Sequence, residues 1–273
     1  MDILLTSYLG IVGLFIGSFL NVILLRHDTP FAWVKGRSHC PHCQKMLTWW
    51  ELVPVVSYLG LRGRCAGCQA RISLQYPLVE LLTAALFVSV YLFLAPATPW
   101  AWLVFLFSVG FWSYLLIILI YDVWYTIIPN EWVFGASLLA FFLLFFNSAG
   151  LTHPTLLDFL AAPLFFLPFF LLWYVSEGRW IGLGDAKLAF ALGWFLGLVG
   201  GISGIIFAFW IGSIISLVLL AIQRLGTTRL FGKSVTLTMK TEIPFAPFLI
   251  AGTALVYFFH LTLLMVIDTL VRL

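Results

Sequence analysis

Two acids have no ordinary place in so apolar a chain: Asp122, which ends a long uncharged run, and Asp185, which stands behind two glycines in Gly182-Leu183-Gly184-Asp185. Taken singly, each fits a solvated side chain or a helix cap at a membrane edge. Taken as a pair, they fit activation of a water for peptide hydrolysis. Two carboxylates at short range resist double ionisation, so one holds a proton, the other acts as base, and the two titrate as a coupled unit. Gly182 and Gly184 suit that use, because a backbone without side chains lets an extended substrate strand approach Asp185 and tolerates positive φ. Lys187 either biases the pair electrostatically or snorkels to the surface, and snorkelling is the simpler reading.

The second group that can do chemistry is Cys40-Pro41-His42-Cys43 and Cys65-Ala66-Gly67-Cys68. Paired C-x₂-C knuckles suit tetrahedral thiolate coordination of zinc, the more so in a reducing compartment. Redox thiols or cysteines without a ligand role are the alternatives, and His39 or His42 can stand in for a cysteine ligand. The loop around them, 26–76, is poor in core-forming residues, so a metal is expected to fold it. Trp49, Trp50, Leu52, Ser57, Tyr58 and Leu59 give the loop a face apolar enough to lie on a bilayer surface.

The elements that position these residues follow from composition. Hydrophobic residues make up 63% of the chain and charged residues 9%, against about 25% charged in soluble domains. The expectation is an all-α polytopic membrane protein. So few charges imply no nucleic acid, and nothing indicates an oligomer. Uncharged runs cover 3–25, 81–121, 132–157, 159–176, 188–223 and 243–267. At about 20 residues per span, the second run breaks at Ala95-Pro96-Ala97-Thr98-Pro99 and the fifth turns at Gly200-Gly201. That gives about eight transmembrane helices, the sixth and shortest being about Ala186 to Val199. The start lacks a basic n-region and a small-residue cleavage site, so 3–25 is read as a retained first span.

With eight spans, the loops 26–77, 122–131, 177–187 and 224–243 share one side. Thirteen of the fourteen Lys and Arg fall there, Lys35, Arg229, Lys233 and Lys240 among them, leaving Arg272 on the other side. By the positive-inside rule those loops are cytoplasmic and both termini are not. Asp122 and Asp185 then share the cytoplasmic edge. Small residues at Gly13, Gly17 and Ser18, and again at Gly193, Gly197 and Gly201, read as helix packing, with Asn21 as an interhelical hydrogen bond. Glu80, just inside the second span, needs water or a partner, or serves the helix dipole. The stretch Leu264 to Leu273 is a helix end or a frayed tail.

The ordered set Gly13-x₃-Gly17-Ser18-Phe19-Leu20-Asn21-Val22, the two cysteine knuckles, Tyr76-Pro77-Leu78-Val79-Glu80, Asp122 through Ile128-Pro129-Asn130, and Gly182-Leu183-Gly184-Asp185-Ala186-Lys187-Leu188 resembles the type IV prepilin peptidases, a branch of the GxGD aspartyl membrane proteases. The resemblance implies a bifunctional enzyme of the bacterial inner membrane, working on prepilins or type II secretion pseudopilins. It cleaves a short basic leader from a hydrophobic N-terminal helix that enters from membrane lipid, then methylates the new N-terminal amine with S-adenosylmethionine. Carried across, Asp122 and Asp185 are the catalytic dyad. Segment 1–25 is the first helix, 26–76 the zinc loop, 77–121 helices 2 and 3, and 122–273 the GxGD peptidase core with helices 4–8. Methyl transfer belongs to the N-terminal half, with Glu80, Gly63 and Arg64 as candidates. Gln75 stands where the family commonly has arginine. Members without the cysteine loop exist, which separates zinc from the proteolytic step. Two other classes remain: a transporter, whose site would lie at the bilayer midplane, and a membrane zinc-loop receptor or assembly factor without chemistry of its own.

Overall fold

In the computed structural model the described residues are 2–27, 36–224, 244–265 and 268. The expectations that rest on Lys35, Arg229, Lys233, Lys240 and Arg272, and most of the 264–273 stretch, lie outside them. Most of the described backbone is helical, as membrane-spanning chain must be when lipid offers its N–H and C=O groups no partners. Among the described residues five helices are long and apolar enough to cross a membrane, and two shorter helices are also apolar, which makes this a multi-pass membrane protein. The chain divides into two units, Met1–Ile117 and Ile118–Leu273.

In the first unit, α1 (Ile3–Arg26) is capped by the Asp2 carboxylate, which accepts from the Leu4 N–H at 3.1 Å. It lies along α3 (Gln75–Leu94) with backbones in contact. A Cβ at Gly13 would sit 2.7 Å from the Ala84 Cα, and one at Gly17 would sit 2.7 Å from the Glu80 Cα. The small-residue stripe is therefore a helix-packing face. Asn21 ties the C-terminal part of α1 to α3: its amide donates to the Gly17 and Tyr76 carbonyls at 3.3 and 3.2 Å and accepts from Gln75 at 3.2 Å. Ala95 in the left-handed region and Pro96 end α3, and α4 (Pro99–Tyr125) begins at the second proline. Phe87 and Tyr91 of α3 pack on Phe105, and Tyr91 stacks on Trp102.

Between α1 and α3 the loop carries a single 3₁₀ turn, Trp49–Leu52, and the short α2 (Val56–Gly60). Trp49, Val56 and Leu59 are exposed, as a bilayer-facing surface requires. Glu51 holds the turn: it accepts from the Thr48 N–H at 2.8 Å, the Thr48 hydroxyl at 2.7 Å and the Lys45 ammonium at 2.9 Å. Those contacts, the Thr48 N–H first, bring its carboxyl down from 4.5 to about 2. Because the folded value is depressed, this stabilisation is complete above pH 4.5 and is lost as pH falls from there through about 2. Acid titration of Trp49 and Trp50 fluorescence is expected to show a transition in that window that Glu51→Gln lacks.

In the second unit, α5 (Asn130–Leu143) is shorter than the 132–157 run implied. A small hairpin follows, β1 (Phe146–Asn147) with β2 (Gly150–Leu151), because the Asn147 side chain accepts the Ala149 and Gly150 N–H groups and turns the chain. Next come α6 (Leu156–Ser176), opened by a Thr155–Asp158 capping box, then α7 (Leu183–Arg224) and α8 (Ala246–Phe259). The 42 residues of α7 are two helices joined at a break, which brings the apolar helical segments to eight.

The break is at Gly197, not at Gly200-Gly201. Gly197 has φ +68 and open space where a side chain would be, so it supplies the turn rather than a packing surface. Gly201 lies inside the second segment because a Cβ there would strike the Phe165 ring of α6. A Cβ at Gly193 would sit 2.7 Å from the Ala162 Cα, and one at Gly252 of α8 would strike the Gly204 carbonyl, so both glycines mark close backbone approaches.

Candidate active site and metal centre

Asp122 occupies the last turn of α4 and Asp185 the first turn of α7, and both are buried. They are near enough for the charge of Asp122 to act on Asp185. Asp122 Oδ2 accepts the Ala246 N–H at 3.3 Å, so the N-terminus of α8, the positive end of its dipole, faces this carboxylate. Asp185 Oδ1 is buried and has no hydrogen-bond partner among the described residues. An orphan carboxylate oxygen is costly in a folded protein, and here it is free for a water or a substrate group. Sequence reasoning missed Ala246. Its available signal was Pro244 and Pro247, which set a helix start in an otherwise apolar run.

The glycines behind Asp185 differ from the expectation in detail, since neither has positive φ. At Gly184 a Cβ would meet the Ile128 Cβ at 2.8 Å and its Cδ1 at 3.1 Å. The space beside Gly184 is thus taken by this chain's own Ile128, carried there by the extended Ile127-Ile128-Pro129 segment between α4 and α5. Gly182 is more open, a Cβ there lying 3.4 Å from Asp185 Oδ2. Lys187 does not merely snorkel: its Nζ donates to Asn130 Oδ1 at 2.7 Å and ties the start of α7 to the start of α5. The segments after Asp122 and around Asp185 are therefore coupled twice.

Gly184→Ala is expected to lower the rate of any chemistry at the pair by about ten- to a hundred-fold, since misplacement by about 1 Å costs that order. Ile128→Gly in the same chain should restore part of the loss in a double-mutant cycle. Equal rates for wild type and Gly184→Ala would refute the role of this contact.

All four cysteine sulfurs lie within 4.8 Å of one another, and neither His39 nor His42 joins the group among the described residues. The two knuckles repeat one backbone pattern. The Cys40 and Cys65 N–H groups donate to the Lys45 and Ala70 carbonyls at 3.0 and 2.9 Å, and Gln44 and Gln69 return bonds to Cys40 and Cys65 at 2.9 and 3.0 Å. Gln44 and Gln69 both have positive φ. Cys40 Sγ is 3.8 Å from Cys68 Sγ, and a tetrahedron with metal–sulfur bonds of about 2.3 Å has edges of about 3.8 Å. The Cys68 and Gly67 N–H groups aimed at Cys65 bring its thiol down to about 6. For Cys68, an N–H from Ala70 pulls the other way, but burial and the neighbouring thiols push it up to about 11. Four sulfurs at this spacing fit a metal of the tetrahedral thiolate class, whose charge would hold all of them as thiolates.

Glu80 is buried in α3, where Oε2 accepts the Val55 N–H at 2.7 Å and the carboxylate also bonds the Ser18 hydroxyl of α1. Gly63 has φ +67, and a Cβ there would lie 2.8 Å from the Tyr58 hydroxyl. Arg64 is exposed and its backbone pairs with Arg71.

Two family models match the chain: the bacterial peptidase A24 N-terminal domain over residues 11–94 and the type IV leader peptidase family over residues 109–220. A prepilin leader peptidase/N-methyltransferase of Bacillus subtilis (strain 168) is 32% identical over 268 residues, covering 93% of this chain and 94% of that protein. The enzyme of the same description from Neisseria gonorrhoeae is 31% identical, covering 86% and 88%. That from Pectobacterium carotovorum subsp. carotovorum is 33% identical, covering 72% and 80%. No solved structure matches. The matched stretches hold both buried aspartates and all four cysteines, and the similarity runs nearly end to end: the chain belongs to the type IV leader peptidase family.

Proposed function

We propose that this chain removes the leader of type IV prepilins or type II secretion pseudopilins by aspartyl proteolysis and then N-methylates the amine it has exposed. The observation that carries the reading is the buried Asp122–Asp185 pair, one oxygen of which has no partner among the described residues. A water held between the carboxylates gives a proton to the unprotonated one as its oxygen attacks the scissile carbonyl carbon. The protonated carboxyl donates to the carbonyl oxygen as charge develops there. When the tetrahedral carbon collapses, the C–N bond breaks and the first carboxylate's new proton passes to the departing nitrogen. The products are a leader carboxylate and a free N-terminal amine. Asp122 keeps its orientation through the Ala246 N–H, and Asp185 keeps its distance through the Gly184–Ile128 contact. Gly182 leaves the strand beside Asp185 open to the backbone of an extended substrate, whose hydrophobic helix stays in lipid.

The four-cysteine cluster is the site of a structural zinc, as its donor set and spacing support. When bound, S-adenosylmethionine supplies an electrophilic methyl group: the N–C bond forms as the C–S bond breaks, sulfur keeps the electron pair, and the amine gives up a proton. Of the three candidates Glu80, Gly63 and Arg64, all in the first unit, the buried Glu80 is the one best placed to serve this second activity. The distribution of basic residues supports an inner-membrane protein whose cysteine loop and dyad face the cytoplasm and whose termini do not. A transporter is disfavoured because the buried acids are at helix ends rather than at mid-span, and a receptor without chemistry leaves the orphan carboxylate oxygen unexplained.

The test is mass spectrometry of a prepilin N-terminus after incubation with the purified chain, with and without S-adenosylmethionine. Leader loss, with a methyl mass gained only when the methyl donor is added, is the expected result. Intact substrate beside folded enzyme would overturn the protease reading for that substrate. Cleavage without methylation would overturn the second activity alone.

A further inference from the structure

The first unit contains a cavity of about 580 Å³ that the dyad does not use. Its walls are Ser18 and Val22 of α1, Tyr76 and Glu80 of α3, and the loop, including Tyr58, Arg71 and the metal-cluster residues Cys40 and Cys65. The volume falls within the range of about 300–1,000 Å³ usual for cofactor sites.

Charge distinguishes this cavity from an apolar gap under a loop. Two buried acids line it, Glu51 and Glu80. Glu51 already has a cation, the Lys45 ammonium at 2.9 Å. Among the described residues Glu80 has only the Val55 N–H and the Ser18 hydroxyl, both neutral. A buried carboxylate without a counter-cation is expensive unless a ligand provides one. The backbone has also been bent to reach it. Val55, a β-branched residue, adopts φ +60 and ψ −47 to aim its N–H at Glu80, a conformation that persists only where surrounding structure enforces it. The Tyr58 ring lines the same space, and Gly63 must be glycine because a Cβ would displace that ring. Arg71 contributes a cation from an exposed position.

A buried acid facing a cavity, aromatic rings beside it and a guanidinium at its exposed end complement a ligand with a non-hydrogen-bonding cation, a flat heteroaromatic base and a carboxylate. A sulfonium cannot donate hydrogen bonds, so a carboxylate and π faces are its natural receptor. We propose that this cavity is the receptor for S-adenosylmethionine, with Glu80 facing the sulfonium, Tyr58 and Tyr76 offering their faces to the adenosyl part, and Arg71 taking the methionyl carboxylate. The proposal rests on the N-methyl-transfer reading and deepens it. Gly63 acts through Tyr58 rather than by contact, Arg64 stays outside the lining, and the cysteine cluster forms part of the wall.

The experiment is equilibrium dialysis of the full detergent-solubilised chain against radiolabelled S-adenosylmethionine, with unlabelled S-adenosylhomocysteine, its neutral thioether counterpart, as competitor. Wild type should bind the sulfonium compound at least about ten-fold more tightly than the thioether, and Glu80→Gln should erase that preference. Ser57→Trp, which leaves every Glu80 hydrogen bond in place and fills the cavity from α2, should abolish binding while the melting temperature stays that of wild type. Wild-type binding that survives Ser57→Trp, or a sulfonium preference that survives Glu80→Gln, would overturn the cavity assignment and leave methyl transfer standing. No binding by wild type, together with cleaved but unmethylated pilin in the mass spectrum, would remove both.

Discussion

Asp185→Asn is expected to abolish leader removal, by about 10³-fold or more, and to leave the protein at least as stable as wild type. The loss follows from chemistry: a positioned acid or base contributes about 10²–10⁴ in rate, and an amide can neither take the water's proton nor hold one for the carbonyl oxygen. The unchanged or raised stability follows from structure. Asp185 is 8% exposed, and its Oδ1 has no partner among the described residues. Replacing a partly unsatisfied carboxylate by a neutral isostere relieves desolvation without opening a cavity. Asp122 should separate the two effects differently. Asp122→Asn loses cleavage as fully, yet its side-chain oxygen can still accept the Ala246 N–H. Asp122→Ala leaves that N–H buried and unpaired, at a further cost of about 1–3 kcal/mol. Rates from mass spectrometry and melting in detergent measure both. Cleavage by Asp185→Asn at a tenth of the wild-type rate would remove the dyad from the mechanism.

Cys65→Ser is expected to produce the largest change in stability, confined to the loop. The full chain should carry one zinc, and the variant none, by elemental analysis. Structural zinc in small thiolate sites contributes about 10–16 kcal/mol at neutral pH, and the described residues of this loop have little else: one salt bridge, two short helical turns and exposed Trp49, Val56 and Leu59. Hydrogen exchange over 36–74 should rise towards that of an unfolded chain, as it should when a chelator strips the wild type. Because Cys40 and Cys65 line the cavity with Glu80, methyl-donor binding should fall with the metal. Asp122, Asp185 and the residues that brace them all lie in the second unit, so leader cleavage should outlast it. Retention of loop protection in metal-free protein would refute the structural role of the cluster.

Hydropathy and covalent spacing carried the reading of this chain a long way. The helical membrane architecture was legible because a run of about 20 apolar residues has one stable solution in lipid. The eight apolar helical segments follow from the same count once the Pro96–Pro99 and glycine breaks are allowed. The cysteine cluster was legible because C-x₂-C places two sulfurs on one knuckle whatever the rest of the chain does. Asp122 and Asp185 were legible as candidates because a carboxylate among apolar residues needs a reason.

Tertiary structure decided what depends on approach between distant segments. A Gly-Gly pair is a local signal for a break, yet Gly201 is needed inside its helix to clear Phe165, and the break falls at Gly197, where nothing packs. Gly184 read as room for a substrate, but that room belongs to Ile128, 56 positions earlier. Lys187 read as a surface lysine and is a brace to Asn130. The Ala246 N–H on Asp122 and the Val55 N–H on Glu80 are backbone donors, and a backbone donor has no letter in the sequence. Composition and spacing therefore determined which elements form and which side chains can react. Which of those side chains are satisfied and which are left open for a ligand is settled only when helices remote in sequence come within hydrogen-bond distance.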